Sequence, residues 1–311
     1  MKLFAPAYYP AFRCIAGDCR HSCCIGWEIC IDPATLARYQ VLPPRKRKDI
    51  LSHTCKDKSG TSFRLTKEGR CPFLTDGGLC RLILDHGEDI LCEICREHPR
   101  FYNRFSDRVE VGVGLCCEEA ARLILSENAP FSLICIEESA ETDGLPDPFE
   151  AIFFAQREED LRILFDRSSP LSHRIEALAE RYSLSLDGIL RDDLRWQRVY
   201  RDLERLDPAW EEALIAWEGA TPDASLFSME EGAAEQLIAY FLYRYSADAI
   251  DRGDYPQRVA FALLSAHVIG RIAHAIAPHD FSTLVDTARA YSAEVEYSEE
   301  NVETLLQALG E

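Results

Sequence analysis

Residues 14–30 read CIAGDCRHSCCIGWEIC, five cysteines in seventeen positions. Working outward, Cys55, Cys71, Cys80, Cys92, Cys95, Cys116, Cys117 and Cys135 follow Cys14, Cys19, Cys23, Cys24 and Cys30, and the last 176 of the 311 residues contain none. Cysteines used as small core hydrophobes would scatter along the chain. Thiols gathered this way need disulfides or a metal. The opening MKLFAPAYYPAF lacks the apolar run and small-residue cleavage site of a secretory signal, so the expected compartment is the cytoplasm, where disulfides rarely persist. An iron–sulfur cluster or zinc is therefore expected. A secreted disulfide scaffold also fits poorly with a cysteine-free half and an odd thiol count.

The remaining composition excludes several classes. No apolar run approaches the ~18 residues of a membrane span, which predicts a soluble protein with no membrane partner. The net charge is −19, but residues 1–120 carry 18 basic against 16 acidic side chains, which leaves a net −21 for the rest. Phosphate binding needs clustered Lys and Arg. An acidic half with one short basic run, Arg45-Lys46-Arg47-Lys48, argues against nucleic acid as a partner.

Organisation changes along the chain. Up to about residue 125, short apolar stretches alternate with turn signals such as Pro43-Pro44, Ser59-Gly60 and Gly77-Gly78. Residues 126–150 are polar and acidic and read as a linker. Beyond them, apolar residues recur with helical periodicity over 149–167, 171–185, 189–206, 208–218, 229–250, 256–277, 279–293 and 299–309, with Ser298 as the cap of the last helix. The expected fold is mainly α: a loop-rich cysteine-cluster metal module, 1–125, packed on a helical domain, 126–311.

Spacing alone does not choose the metal. Cys92-x2-Cys95 has the spacing of a zinc knuckle, yet no second C-x2-C pair completes a ribbon. Cys19-x3-Cys23 is followed by Gly26 where a C-x3-C-x2-C triplet needs cysteine, and the bacterial ferredoxin run is absent. In Cys23-Cys24 and Cys116-Cys117 adjacent side chains diverge, so one of each pair is available to ligate while the other packs.

Pro10-x-Phe12-x-Cys14-Ile15, Asp18-Cys19-x3-Cys23-Cys24-x-Gly26-Trp27, Ile31-Asp32, Cys71-Pro72-Phe73-Leu74 through Cys80, Gly87-Glu88, Cys95 with Pro99-Arg100, and Cys117 with Glu119-Ala120-Ala121-Arg122-Leu123 follow one another in order. With the closing Tyr291-Ser292-x-Glu294-x-Glu296-x-Ser298-x2-Asn301, this series resembles the flagellin lysine-N-methylases and the wider cysteine-cluster proteins described as zinc- or iron-chelating. Eight cysteines fall on the pattern: Cys14, Cys19, Cys23, Cys24, Cys71, Cys80, Cys95 and Cys117. They are the metal-ligand set that the resemblance implies. Cys30, Cys55, Cys92, Cys116 and Cys135 fall outside it and read as packing or surface thiols. The chain departs from the pattern at His98, where an aromatic precedes Pro-Arg, at Glu118, where Pro stands, and at Tyr297, where a His follows Glu296.

The resemblance further implies methyl transfer from S-adenosylmethionine to a lysine ε-amine of a flagellin-like protein, with an associated iron–sulfur cluster of the 4Fe-4S type, or zinc in its place. Lysine must react as the neutral amine, and deprotonation at pH 7 costs about 4.6 kcal/mol from a pKa near 10.4. Glu294 and Glu296 are the candidates for gripping or deprotonating it. Glu110-x-Gly112-x-Gly114 imitates the start of the glycine loop of Rossmann-type methyltransferases, but Cys116 stands at the third glycine position and no strand–helix alternation follows, so a plain strand is expected. Tyr8, Tyr9 and Trp27 are aromatic enough to stack on an adenine, although packing is the simpler reading. The rival from another class is a non-catalytic chelating or partner-binding protein.

Overall fold

The structure, a computed structural model, describes residues 1–58, 60–138, 147–220 and 227–310. Ser59 of the predicted Ser59-Gly60 turn, and residues 139–146 of the predicted linker, lie outside them. In chain order the elements begin with β1 (Lys2–Pro6), α1 (Pro33–Gln40), α2 (Pro44–Leu51), β2 (Thr54–Lys56), β3 (Thr61–Phe63), α3 (Arg81–His86), α4 (Glu93–Glu97) and β4 (Arg100–Arg104). There follow β5 (Arg108–Val113), α5 (Glu118–Leu125), β6 (Leu133–Glu138), α6 (Pro148–Leu164), α7 (Leu171–Arg181), α8 (Leu186–Leu190), α9 (Asp193–Asp202) and α10 (Trp210–Gly219). The chain closes with α11 (Glu231–Tyr245), α12 (Ala249–Arg252), α13 (Tyr255–Ala275), α14 (Phe281–Tyr291), a π-helical turn at Ser292–Glu296 and α15 (Glu299–Leu309). The protein is mainly helical, as the periodicity predicts.

The chain divides into a cysteine-rich unit, residues 13–100, and a helical unit made of residues 1–12 and 101–311. The composition placed the boundary at 125/126 instead. The difference arises from strand pairing. β1 lies parallel to β5, with Lys2, Leu3 and Phe4 opposite Arg108, Val109 and Glu110, and antiparallel to β6 on its other side. The resulting sheet has the order β4-β5-β1-β6, so the first residues and 101–138 join the helical unit and the cysteine-rich unit is an insertion between them. Part of the predicted linker is thus strand β6. Glu110-x-Gly112-x-Gly114 enters β5 as the expected plain strand, and Gly112 has a packing role: a Cβ there would stand 2.3 Å from the Phe101 ring.

α13 is the axis of the helical unit. Seventeen of its residues, from Tyr255 to Ala273, are buried on all sides, which is the behaviour of a helix with no polar face to present. α11 packs along it, and α14, α10, α15 and α8 complete the surround. Ser298 caps α15, its hydroxyl accepting from the Asn301 N–H at 3.2 Å. No helix among the described residues is long and apolar enough to cross a membrane.

The cysteine-rich unit has a separate small core of Ile29, Ile31, Tyr39, Ile50, Phe63, Phe73, Leu82 and Leu91 with Cys71 and Cys92. Among its described residues the regular structure is the β2–β3 hairpin, four short α-helices and two single 3-10 turns at Ala16–Asp18 and Glu88–Ile90. Loops supply the rest, and they approach closely: Gly78 adopts φ +74°, and a Cβ there would stand 3.1 Å from Gly17 Cα.

Candidate functional site

Two clusters of chemistry-bearing side chains emerge, one in each unit. In the cysteine-rich unit the backbone brings thiols together from distant positions. The Cys71 N–H donates to the Cys24 carbonyl at 2.8 Å, and Leu74 bridges Cys80. Cys80 precedes α3 and Cys92 precedes α4 as their N-cap residues, with Cys95 inside α4. Cys71 and Cys92 are core residues, and Cys24, Cys80 and Cys95 pack against the same core. Cys14 and Cys23 are exposed and Cys19 half-buried. Cys117 caps α5 in the helical unit.

The environment of these sulfurs is uneven. Hydrogen bonding from the Cys23 thiol, with help from the Ser22 hydroxyl and Arg70, outweighs burial and brings Cys24 down to about 7. Burial pushes Cys71 up to about 11, against the Phe73 N–H. Burial also raises Cys80, opposed by the N–H groups of Ile83 and Leu82. Cys92 is lowered by the Cys95 thiol, and Cys95 is raised in turn. His98 follows α4, its ring 5.8 Å from that of Trp27, whose indole N–H donates to the Cys23 carbonyl at 2.5 Å. Burial brings His98 down to about 4, and its Nε2 is buried without a partner. Five soft donors around one core suit iron or zinc chemically. Among the described residues, however, no three His, Cys, Asp or Glu side chains are arranged around a single point to hold an ion.

The second cluster surrounds Glu296 at the end of the π-helical turn. Its carboxylate is fully buried and accepts from the Tyr240 hydroxyl at 2.9 Å, the Tyr245 hydroxyl at 3.0 Å and Arg244 Nη1 at 3.1 Å. Arg244 also donates to the Tyr240 oxygen at 2.7 Å and lies over the rings of Phe101, Tyr240 and Tyr245. Burial raises both phenols well above their ordinary value, so both are donors. At the rim, Cys116 Sγ and the Tyr297 hydroxyl are 2.9 Å apart. Tyr297, which departs from the lysine-methylase pattern, therefore touches a cysteine that lies outside it. Burial pushes Cys116 up to about 12, so the thiol is neutral.

Glu294, two residues earlier, is engaged differently. Its carboxylate accepts from the backbone N–H groups of Leu206 and Asp207 at 3.0 and 2.8 Å and from Arg205 at 3.3 Å, pinning the 203–209 loop. The π-helical turn sends these two nearby carboxylates into different surroundings. Tyr8 is buried in the helical core and Tyr9 packs against it.

With this geometry established, comparison with known proteins adds a direction. A lysine-N-methylase of Salmonella typhimurium is 29% identical over 128 residues, 39% of this chain and 32% of the relative. The lysine-N-methylase of Salmonella choleraesuis matches with the same identity and coverage. The chain is similar to lysine-N-methylases. The match spans about a third of the length of those two relatives. The flagellar biosynthetic protein FliU of Salmonella muenchen is 27% identical over 128 residues, 39% of this chain and 76% of the relative. No family profile and no solved structure matches.

Sequence reasoning did not single out Tyr240, Arg244 and Tyr245, which sit in an apolar helical stretch and carry no spacing signature. Cys92 was set aside as a packing thiol. Its C-x2-C spacing was the available signal, since it joins Cys95, Cys24, Cys71 and Cys80 at one core.

Proposed function

We propose that this chain takes part in N-methylation of a lysine on a flagellin-like protein, with S-adenosylmethionine as the methyl donor and Glu296 as the group that receives the acceptor amine. The observation that carries this reading is the setting of Glu296: a buried carboxylate with two tyrosine hydroxyls and one guanidinium on it. A carboxylate offers about four lone-pair sites, so one is left for an ammonium. Similarity to lysine-N-methylases supports the same reading.

The transfer balances as a polar step. The neutral lysine nitrogen forms a bond to the methyl carbon, the carbon–sulfur bond of the sulfonium breaks, and the thioether leaves with the electron pair. Glu296 is the acceptor for the amine proton, and the groups that hold it are themselves packed on apolar rings, Arg244 over Phe101 and Tyr240 against Phe241, a setting that disfavours a charged amine. In the cysteine-rich unit, Cys24, Cys71, Cys80 and Cys95, with Cys92 beside them, would hold an iron–sulfur cluster or zinc. The bound metal would supply cross-linking of the loops and thiolate charge compensation. Cys14, Cys19 and Cys23 complete the proposed donor set of that unit, and Cys117 belongs to the helical unit.

The non-catalytic chelating reading is favoured by one observation, the complete enclosure of Glu296. Mass spectrometry of a flagellin incubated with the full chain, purified without oxygen, and S-adenosylmethionine separates the two. Lysine gains of one methyl mass, with a drop on the order of 100-fold in Glu296→Gln, are expected. No gain with the wild type would leave the chelating reading standing.

A further inference from the structure

Buried polar side chains nearly always find a hydrogen-bond partner, and the exceptions in this chain differ between its two units. In the helical unit they are a mixture of carboxylate, guanidinium, amide, indole and hydroxyl atoms. In the cysteine-rich unit, among the described residues, three buried side-chain nitrogen or oxygen atoms lack a partner, and all three are imidazole nitrogens: Nδ1 and Nε2 of His86 and Nε2 of His98. Imidazole is the commonest side-chain metal ligand. The unit that gathers the thiols therefore also leaves imidazole nitrogens unused.

The two histidines are not equivalent. A neutral imidazole carries one N–H and one lone pair, so His86 would keep a buried nitrogen without a partner even after the other had bound an ion. His98 has a single such atom, and the tautomer with its proton on Nδ1 leaves a lone pair on Nε2 that coordination would use. Position points the same way. Cys92 is the N-cap of α4, Cys95 lies inside it and His98 is its C-cap, and residues three apart at a helix surface stand about 5–6 Å from Cβ to Cβ. Cys92 and Cys95 both join the small core. From another part of the unit, Trp27 meets the His98 ring at 5.8 Å between centroids, and its indole N–H donates to the Cys23 carbonyl. Cys24, the next residue, packs on the same core. Neither His98 nor Cys92 falls on the cysteine pattern of the lysine-methylase resemblance, so this grouping is a property of the present chain.

We propose that His98 Nε2 is a ligand of the metal held by the cysteine-rich unit, beside the thiolates of Cys92 and Cys95, so that the centre is a mixed sulfur–nitrogen one. The assignment rests on the metal part of the reading above. Three thiolates and one imidazole form a common structural set for zinc, and Cys24, adjacent to the carbonyl that Trp27 holds, supplies the third thiolate. Among the described residues these donors do not surround a single point. The assignment names which side chains turn toward the ion.

The test is zinc-edge X-ray absorption of the full chain, produced in zinc-supplemented, iron-depleted medium and purified without oxygen. Wild type is expected to show a nitrogen shell at about 2.0–2.1 Å with sulfur at about 2.3 Å, together with the outer scattering of an imidazole ring. His98→Phe, which keeps an aromatic ring for Trp27, should lose the nitrogen shell and retain the sulfur one. Its zinc affinity should fall by at least about tenfold, the effect of losing even an outer partner of a ligand. His86→Ala should leave both shells in place. His98→Cys should give sulfur alone, and it keeps the test in force if His98→Phe does not fold. A sulfur-only shell in wild type, or an imidazole signal that survives in His98→Phe, overturns the assignment and leaves the metal reading standing. Wild type that takes up no zinc overturns the metal reading, and the assignment falls with it.

Discussion

The two units of this chain solve the burial problem with very different means. Among the described residues the helical unit joins fifty-one buried residues into one core, whereas the cysteine-rich unit has ten, two of them cysteines. A stretch of under ninety residues with so few buried side chains is near the size at which domains call on metals or disulfides. The helical unit has no such need. Its charged residues are instead spent on internal pairs and on the Glu296 cluster, so the part that stands by itself also carries the candidate chemistry.

The sharpest way to break this comparison is to remove metal. If the thiols hold iron or zinc, chelation under reducing conditions should unfold the cysteine-rich unit, because structural zinc contributes roughly 10–16 kcal/mol in finger peptides. Hydrogen exchange should then lose protection at Ile31 and Phe63, whose N–H groups bond to Thr61 and Ile29 carbonyls, while α13 keeps its own. Protection that survives in verified metal-free protein would show that the small core suffices.

A smaller effect sharpens the other side. Gly112→Ala places a methyl group against Phe101 and should cost about 1–3 kcal/mol, read as a lower thermal midpoint of the helical unit. An unchanged midpoint would mean that β5 and Phe101 can separate cheaply. Glu303→Ala, which removes the exposed Arg252–Glu303 pair at 2.7 Å, should leave the thermal midpoint close to that of the wild type, because solvent screens such a pair. A larger loss would show that surface pairs matter here more than the core comparison allows.

Much of the helical unit was legible from periodicity. The patterns at 149–167, 256–277 and 299–309 correspond to α6, α13 and α15 within a few residues at each end, because 3.6-residue patterning is a local property. The sheet was not. β1 and β5 are separated by the whole cysteine-rich unit, and pairing at that distance leaves no mark in either strand beyond a few apolar residues. The unit boundary at Phe12 and Phe101 was missed for the same reason. The tyrosines on Glu296 were hidden because, within a buried helix, their side chains look like any other large apolar residue.

By itself the sequence determined where the thiols are, how the acidic charge divides, which stretches are helical and which residues carry a lysine-methylase resemblance. All of these follow from residue identity and short spacing. Tertiary structure alone decided which thiols share a core. It also separated Glu294, bonded to the backbone of a loop, from Glu296, bonded to Tyr240, Tyr245 and Arg244. Two carboxylates two residues apart are chemically alike in the chain, and only the packing of α11 against the π-helical turn makes them different groups.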